Sequence, residues 1–353
     1  MAAAAPIRKR LLSWYARHGR SLPWRAREGR PDPYRVWLSE VMLQQTTAAH
    51  AAPYFLAFTR RWPSLAALAG ADDSEVMAAW AGLGYYARAR NLLAAARTLR
   101  DDFGGSFPRS SEQLRRLPGV GPYSAAAIAA IGFSEAVVAV DANIERVIAR
   151  LFAIRTPLPA AKTKIRELAG RLLDPHRPGD WTQALMDLGA TICQPRAPRC
   201  GSCPLKRDCA AFALGLADEL PRRAKRSARP LRRGVAYLAE RNGAVGLVRR
   251  PAKGLLPGML GLPTTDWRSE PWSAADALAD APFAAPWRDA GSIIHVFTHF
   301  RLELDLWRAE AADDVEGLAW TPRGEALAGL PSVFAKAVRL VGKAPSDERR
   351  THL

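Results

Sequence analysis

The chain has 353 residues, of which 48% are hydrophobic and 24% charged. This length suits two or three domains, and the composition is ordinary for a globular protein in water. No apolar run approaches the ~20 residues of a membrane span. Basic residues follow the short Ala-rich start instead of preceding it, which is the wrong order for a secretory signal. We therefore expect a cytoplasmic protein with no membrane partner.

The net charge of the chain indicates the kind of partner it binds. Lys and Arg number 51 against 34 Asp and Glu, a formal net charge of +17 at pH 7. Such a surplus costs self-repulsion and is typical of proteins with a polyanionic partner. A bias of composition toward Ala and Arg is the alternative, but we favour nucleic acid as the partner.

Helical periodicity dominates the first two-thirds of the chain. Apolar residues recur at three- and four-residue spacing, and breakers that contain Gly or Pro separate the periodic segments. The segments predicted as helices are 35–52, 73–81, 86–99, 123–131, 143–152 and 162–173. This part of the chain is therefore predicted to be an all-helical domain.

The pattern then changes to that of a smaller domain. Seven of the twelve residues in 222–233 are basic and none is acidic or aromatic, as in an exposed linker. The predicted elements beyond it are strands over 235–239 and 244–248 joined at Asn242-Gly243, an alternating strand over 295–306 and a helix over 332–341. An α+β domain is expected there.

All four cysteines, Cys193, Cys200, Cys203 and Cys209, fall within 17 residues. Clustered thiols indicate a metal centre in a reducing compartment, because disulfides would join distant segments. The spacing C-x6-C-x2-C-x5-C has one close pair, whereas zinc sites commonly have two. Zinc and iron–sulfur both suit four thiolates, and the spacing modestly favours a 4Fe-4S cluster.

Two glycines stand just before a predicted helix. Gly119, Val120 and Gly121 precede Tyr123, where that helix begins. Glycines let the backbone approach a phosphate closely, and the free N–H groups of a helix start favour an anion. The pattern indicates a helix-hairpin-helix that holds a nucleic-acid backbone, or else an ordinary corner between helices.

Two acidic residues have unusual surroundings. Asp141 stands between the apolar run 136–140 and a helix start, so it is either an N-cap or a carboxylate that faces a developing cation. Glu40 has apolar neighbours on its helix, so it is either on a solvated face or a desolvated carboxyl that keeps its proton.

Together, segments between about residue 11 and residue 340 resemble the MutY-type adenine DNA glycosylases of the helix-hairpin-helix/Gly-Pro-Asp superfamily. The segments that carry the resemblance are 22–25, 37–46, 82–91, 117–124, 140–143 and the four cysteines. The resemblance implies a multidomain protein. The first implied part is an all-α glycosylase domain over 1–221, in which a six-helix barrel takes up about 30–140 and the N-terminal helix joins 141–221 in a 4Fe-4S cluster module. A basic linker over 222–233 follows. The last part is an α+β Nudix-like domain over 234–341 that recognises 8-oxoguanine.

The resemblance also implies the reaction. The enzyme would hydrolyse the N-glycosidic bond of adenine mispaired with 8-oxoguanine or guanine in double-stranded DNA, as a step of base excision repair. The adenine would be flipped out of the duplex. Glu40 would protonate N7 of the base, and Asp141 would stabilise the oxocarbenium-like sugar. Asn143 would orient Asp141, and Tyr123 would help to hold the pair.

Position 123 distinguishes members of this superfamily. Bifunctional relatives of the endonuclease III type carry a lysine at this point of the hairpin, and its amine can form a Schiff base and cut the strand. The residue here is Tyr123. A monofunctional glycosylase that leaves an abasic site is therefore predicted.

Further residues are assigned to DNA by the resemblance. Gln45 and Tyr85 match positions that wedge into the duplex, and 297–299 falls where the family has a Phe-Ser-His loop that reads 8-oxoguanine. The predicted DNA-binding residues are Gln44, Gln45, Thr46, Leu83, Gly84, Tyr85, Arg88, Gly119, Val120, Gly121, Thr298 and His299.

Three alternatives remain. An endonuclease III-like pyrimidine glycosylase and lyase is disfavoured by Tyr123 and by the extra C-terminal domain. A non-catalytic iron–sulfur DNA-binding protein is disfavoured because Glu40 and Asp141 are both present. A true Nudix hydrolase is disfavoured because 266–289 lacks the Glu-rich signature that holds magnesium. We expect a monomer associated with the nucleoid.

Overall fold

The computed structural model describes residues 4–26, 29–224, 229–251, 255–256, 258–297 and 299–341. This described part of the chain divides into two compact units, Met1–Ala224 and Lys225–Leu353. The first unit is helical, and the second is built around a β-sheet. The division falls within the predicted linker over 222–233, of which 225–228 lie outside the described residues.

Helices joined by short turns make up the first unit. They are α1 (Ala4–His18), α2 (Pro33–Leu43), α3 (Ala48–Arg61), α4 (Leu65–Ala69), α5 (Asp73–Ala79), α6 (Ala87–Asp102), α7 (Ser111–Leu114), α8 (Pro122–Phe133), α9 (Ala142–Leu151), α10 (Lys162–Leu172), α11 (Pro178–Thr191) and α12 (Ala210–Ala213). Short 3-10 turns at Cys200–Ser202 and Lys206–Asp208 precede α12. None of the described helices has the length and apolar character needed to cross a bilayer.

The predicted helix over 35–52 is wrong, because the chain turns in its middle. α2 ends before this turn, and α3 begins after it with Thr47 as N-cap, whose hydroxyl accepts a hydrogen bond from the His50 N–H at 3.3 Å. Within the turn, Gln45 has a positive φ of 60°. The apolar periodicity continues through the turn because neither glycine nor proline marks it. The other predicted helices are confirmed to within a few residues.

Separate apolar clusters form the interior of the helical unit. One draws on residues between Trp24 and Ala129 and includes the fully buried rings of Trp37 and Trp80. Another joins α1 to residues between Ile144 and Leu205. α8 is buried along most of its length and packs against both α2 and α11. Helix α8 therefore lies between α2, which belongs to the first cluster, and α11, which belongs to the second.

The second unit packs helices on a mixed sheet. Its elements are β1 (Leu231–Arg241), β2 (Ala244–Arg249), β3 (Leu260–Gly261), α13 (Ala274–Ala279), β4 (Arg288–Val296), β5 (Arg301–Glu310), β6 (Ala319–Pro322), α14 (Arg323–Gly329) and α15 (Ser332–Val341). The described strands are ordered β3-β2-β1-β5-β4, and β6 also pairs with β2. β1 is parallel to β5 and antiparallel to β2. The predicted hairpin at Asn242-Gly243 and the predicted helix over 332–341 are confirmed, while β1 begins inside the last three residues of the predicted linker.

The predicted single strand over 295–306 is wrong, because it is a hairpin. β4 ends and β5 begins within this segment, and the two pair in antiparallel fashion. Val296 is half exposed, whereas Leu302 and Leu304 are buried in a core that they share with α14 and α15. The alternation continues across the turn because Phe300, which lies in it, is buried in the same core.

Candidate active site

A cavity of about 930 Å³ lies where α2, α8, α9 and α11 approach one another in the helical unit. Each of these helices contributes to its wall. The predicted residues that line it are Glu40, Tyr123, Asp141, Asn143, Gln44, Gln45 and Thr46. The fold therefore gathers, in one place, the residues predicted for chemistry and part of the set predicted for DNA.

Glu40 is on the cavity side of α2 and is only 7% exposed. Burial raises the pKa of its carboxyl to about 7, and the charge of Asp141 adds to this rise. A hydrogen bond from the Tyr123 hydroxyl and the charge of Arg25 act in the opposite direction. The solvated helix face considered for Glu40 is therefore wrong. A carboxyl with this pKa is partly protonated near neutral pH, as a general acid requires.

Asp141 is a helix cap and a cavity residue at once. Its Oδ1 accepts a hydrogen bond from the Ile144 N–H at 2.7 Å, which caps α9. Its Oδ2 accepts one from Asn143 Nδ2, also at 2.7 Å. Burial raises the pKa of the Asp141 carboxyl, and these hydrogen bonds oppose the rise. The two roles considered for this residue are thus compatible, since one oxygen caps the helix while the side chain lines the cavity.

Tyr123 lies in the first turn of α8, directly after the glycine hairpin. Burial raises the pKa of its hydroxyl well above the ordinary value, and the charges of Glu40 and Asp141 raise it further. The hydroxyl therefore stays neutral and hydrogen-bonds to Glu40. It links the hairpin to the carboxyl pair.

Arg146, to which the sequence analysis gave no role, holds Asn143 in place. Its Nη2 donates to Asn143 Oδ1 at 2.9 Å and to the Gly189 carbonyl at 2.7 Å. Its Nε donates to the Cys193 carbonyl at 2.7 Å. The amide of Asn143 is thereby oriented toward Asp141. The available signal was an arginine one helical turn after Asn143, where the two side chains share a face.

An ion-pair network that the sequence analysis also missed forms part of the cavity wall. Arg20 and Arg25 line the cavity, and each places a nitrogen 2.6 Å from a carboxylate oxygen of the fully buried Asp187. Burial acts to raise the pKa of Asp187, but the hydrogen bond and charge of Arg25 hold it below its ordinary value. Asp187 is therefore ionised, and it fixes two cations beside the cavity.

Two predicted DNA-binding loops have unusual backbone geometry. φ is +60° at Gln45 and +50° at Tyr85, a region that residues other than glycine seldom adopt. Gly84, next to Tyr85, has φ of +68°. The Tyr85 side chain is 62% exposed. Both loops therefore present a polar or aromatic side chain from a strained turn.

The glycine hairpin offers backbone rather than side chains. Gly119, with φ of +74°, and Gly121 are exposed, while Val120 between them is buried in the apolar interior. Leu83 is buried in the same cluster. Any contact of Val120 or Leu83 with DNA is therefore made through the main chain.

The prediction that Arg88 binds DNA is wrong. Arg88 is only 7% exposed. Its guanidinium donates to the main-chain carbonyls of Val41, Met42, Leu83 and Gly84 at 2.9 to 3.1 Å. The sequence places an arginine beside an exposed loop but does not reveal the carbonyl groups that turn it inward.

The four cysteines line one small cavity of the helical unit. The buried Arg150 donates from Nη1 to Cys193 Sγ at 3.3 Å, and burial raises the pKa of Cys203 to about 12. Within the described residues, no group of three or more His, Cys, Asp or Glu side chains converges on a point suited to a single metal ion. The four thiols nonetheless line one common space.

In the second unit, Thr298 lies outside the described residues, and His299 beside it is exposed. Phe297 packs against Trp267 and Phe300, with ring centroids 5.9 and 4.8 Å away. An aromatic cluster therefore lies beside the predicted 8-oxoguanine loop.

Comparison with known families assigns a class to each unit. Residues 38–175 match the family described as HhH-GPD superfamily base excision DNA repair protein, and residues 234–340 match the NUDIX domain family. Together with the helical fold, the first match defines a base excision DNA repair protein. The predicted fold class, an all-α helix-hairpin-helix domain followed by an α+β Nudix-like domain, is confirmed.

Whole-chain relatives narrow the class. The chain is 35% identical to the adenine DNA glycosylase of Homo sapiens, covering 87% of this chain and 67% of the human protein. It is 34% identical to the adenine DNA glycosylase of Mus musculus, covering 91% and 74%. A thermostable thymine-DNA glycosylase of known structure is 30% identical, with a TM-score of 0.54 over 60% of this chain and 97% of that one. The chain belongs to the adenine DNA glycosylase family. It is a DNA N-glycosylase of base excision repair, as predicted.

Proposed function

We propose that this enzyme removes adenine paired with 8-oxoguanine or guanine in double-stranded DNA and leaves an abasic site. One observation carries the proposal: Glu40, with a pKa of about 7, and the Asp141 carboxyl line the same cavity. Glycosidic bonds are split by two carboxyl groups in different roles, one giving a proton and the other facing the developing cation. Burial raises the pKa of Asp141, and the hydrogen bonds from the Ile144 N–H and from Asn143 oppose this rise by stabilising the carboxylate, which supports its role as the ionised partner.

In the proposed reaction, adenine is flipped out of the duplex into the cavity. Glu40 gives its proton to N7, the bond between C1′ and N9 breaks, and the electron pair of that bond stays with adenine. Asp141 stabilises the positive charge at C1′, while Asn143 and Tyr123 keep the carboxyl pair in place. Water then adds to C1′ and passes a proton to the carboxyl pair. Because Tyr123 carries no amine, no Schiff base forms at this position and the strand is left intact.

DNA binding divides among three loops in this proposal. Gln45 and Tyr85 act as wedges that enter the duplex and occupy the space left by the flipped base. The main-chain N–H groups at Gly119 and Gly121 contact a phosphate. The net charge of +17 supports a long electrostatic contact with the DNA backbone.

We assign a 4Fe-4S cluster to Cys193, Cys200, Cys203 and Cys209. The support is that all four thiols line one small cavity, and four thiolates are the ligand set of a 4Fe-4S cluster. Such a cluster supplies a cross-link of the loop between Cys193 and Cys209 and takes no part in the hydrolysis. Lys206 and Arg207 lie in this loop, and the cross-link would position their side chains to contact DNA phosphates.

Residues 234–341 serve as the 8-oxoguanine recognition domain in this proposal, with Thr298 and His299 at the contact. Support comes from the Nudix match and from the aromatic cluster that includes Phe297. The enzyme works as a monomer at the nucleoid.

The test is single-turnover cleavage of end-labelled duplexes with A opposite 8-oxoguanine, G, C or T, with and without an alkaline step that breaks abasic sites. We expect breaks only after alkali, and fastest opposite 8-oxoguanine. Breaks without alkali would show a lyase, and equal rates opposite all four partners would remove the proposed specificity.

A further inference from the structure

We propose that Arg88 is a positioning residue that keeps two wedge loops aligned for base extrusion. The Gln45 loop (44–47) follows α2, and the Tyr85 loop (82–85) precedes α6. The inference rests on the proposed wedge roles of Gln45 and Tyr85. It concerns how their loops are held relative to one another.

The hydrogen bonds of Arg88 divide evenly between the last turn of α2, which leads into the Gln45 loop, and the Tyr85 loop. Nη1 donates to the carbonyls of Val41 at 3.1 Å and Met42 at 2.9 Å, in the last turn of α2. Nη2 donates to the carbonyls of Leu83 at 2.9 Å and Gly84 at 3.1 Å. A guanidinium is planar and rigid, so the positions of these two nitrogens relative to each other are fixed. The end of α2 is consequently fixed relative to the Tyr85 loop, and the Gln45 loop, which starts directly after α2, is held through that helix end.

Ring contacts extend this arrangement to a wedge itself. The Arg88 guanidinium carbon lies 5.7 Å from the Tyr85 ring centroid and 5.2 Å from that of the buried Trp80. Tyr85 is largely exposed and has a positive φ, so its ring is only partly surrounded by protein. The Arg88 cation against this ring favours one direction of it.

The Arg88 side chain takes no direct part in the proposed reaction. These four hydrogen bonds all go to main-chain carbonyls of the Tyr85 loop and of the end of α2, and Arg88 does not line the cavity of Glu40 and Asp141. Loss of this alignment therefore slows extrusion of the base and does not change proton transfer after extrusion. Lysine cannot replace the arginine, because its single nitrogen cannot serve both loops in a fixed geometry.

The experiment is a mutant cycle on the full-length protein with its cluster. The variants are Arg88→Lys, the wedge-less pair Gln45→Ala/Tyr85→Ala, and the combination of all three. Arg90→Lys, an exposed arginine two residues away, is the matched control. Single-turnover adenine excision is measured on an A·8-oxoguanine duplex. Fluorescence of 2-aminopurine beside an uncleavable 2′-fluoroadenosine reports unstacking on binding.

We expect Arg88→Lys to slow excision about tenfold in the native background, because a modest loss of loop alignment raises the activation barrier slightly. The 2-aminopurine signal should fall with it, and Arg90→Lys should change neither readout. In the wedge-less background, Arg88→Lys should cost less than about twofold, because it then has nothing to align.

Equal loss in both backgrounds, or no loss in either, overturns the role of Arg88. If the wedge-less pair itself excises at the native rate, the wedge roles fail first and the inference fails with them. Visible absorption of the cluster and thermal unfolding report the integrity of each variant. Should Arg88→Lys not fold, Arg88→Gln, which can still reach one loop, takes its place in the cycle with the same expectations.

Discussion

The burial of the Glu40 carboxyl costs stability. Its carboxyl has a pKa of about 7 in the folded protein, against 4.5 for an unperturbed glutamate. The folded state therefore binds the proton more tightly than the unfolded state does. At pH values below 4.5 the group is protonated in both states and adds no penalty. As the pH rises from 4.5 toward 7, the unfolded state releases this proton while the folded state keeps it, so stability is lost over this range, and the full loss is reached above pH 7.

Replacing Glu40 with glutamine should expose this cost. We expect Glu40→Gln to stabilise the protein by about 3 kcal/mol at pH 8 and by far less at pH 4.5, since one pKa unit is worth about 1.4 kcal/mol. Urea unfolding at the two pH values measures it. Glu112→Gln, at an exposed glutamate, is the control. An equal gain at both pH values would mean that ionisation is not the cause.

The capping role of Asp141 can be tested separately from the role of its negative charge. Asparagine caps helices as well as aspartate does, so Asp141→Asn keeps the bond to the Ile144 N–H but removes the carboxylate. We expect adenine excision to be abolished, with DNA affinity retained. Gel-shift binding and single-turnover cleavage on the same duplex measure both. Excision at the native rate would disprove the catalytic assignment.

At the scale of single elements, the glycine hairpin depends on one backbone position. Gly119 has φ of +74°, and a Cβ there would meet the Cβ of Asn91 at 2.7 Å. We expect Gly119→Ala to destabilise the protein by about 1–3 kcal/mol and to weaken DNA binding, because the turn must move. Thermal unfolding and fluorescence anisotropy with labelled duplex are the measurements.

Gly105 is the matched control for that change. Its φ is +76°, but no described atom lies within 4 Å of a Cβ built there. Gly105→Ala should therefore carry the backbone strain without the clash, and DNA affinity should stay native. Equal loss of affinity in the two variants would show that the hairpin has no special contact.

Elements with strong local signals were predictable, and those set by distant contacts were not. Helix α9 follows directly from its amphipathic spacing and its Asp141 cap. The turn after α2 was missed because a threonine cap and a positive φ at Gln45 replace the usual breakers. The sequence suggests a DNA contact for Arg88 and no role for Arg146. Their actual partners, main-chain carbonyls for Arg88 and the amide of Asn143 for Arg146, are brought near these side chains only by folding. Spacing predicts which side chains share a face but not which main-chain groups turn toward them.

At the scale of the whole molecule, the two compact units divide the work under our proposal. A chain that ends at residue 224 contains the entire carboxyl cavity. We expect it to excise adenine but to lose most of the preference for 8-oxoguanine over guanine as the opposite base. The ratio of the two single-turnover rates measures this preference.

The variant His299→Ala, made in the full chain of 353 residues, is compared with that truncated chain. It keeps the second unit but removes an exposed side chain of the proposed reading loop. We expect its rate ratio to fall between those of the native and truncated chains. A truncated chain with the native ratio would place base discrimination in the helical unit.

The cap at the start of α9 sets a thermal limit on activity. Asp141 caps this turn, Asn143 lies within it, and Arg146 donates to both Asn143 Oδ1 and the Cys193 carbonyl. Exposed helix ends fray at temperatures where the rest of a protein remains folded. The first turn of α9 differs, because Ile144 within it is fully buried in the core of the helical unit, so the carboxylate leaves its partners only when part of that core opens. Heat inactivation should therefore coincide with thermal unfolding of the helical unit.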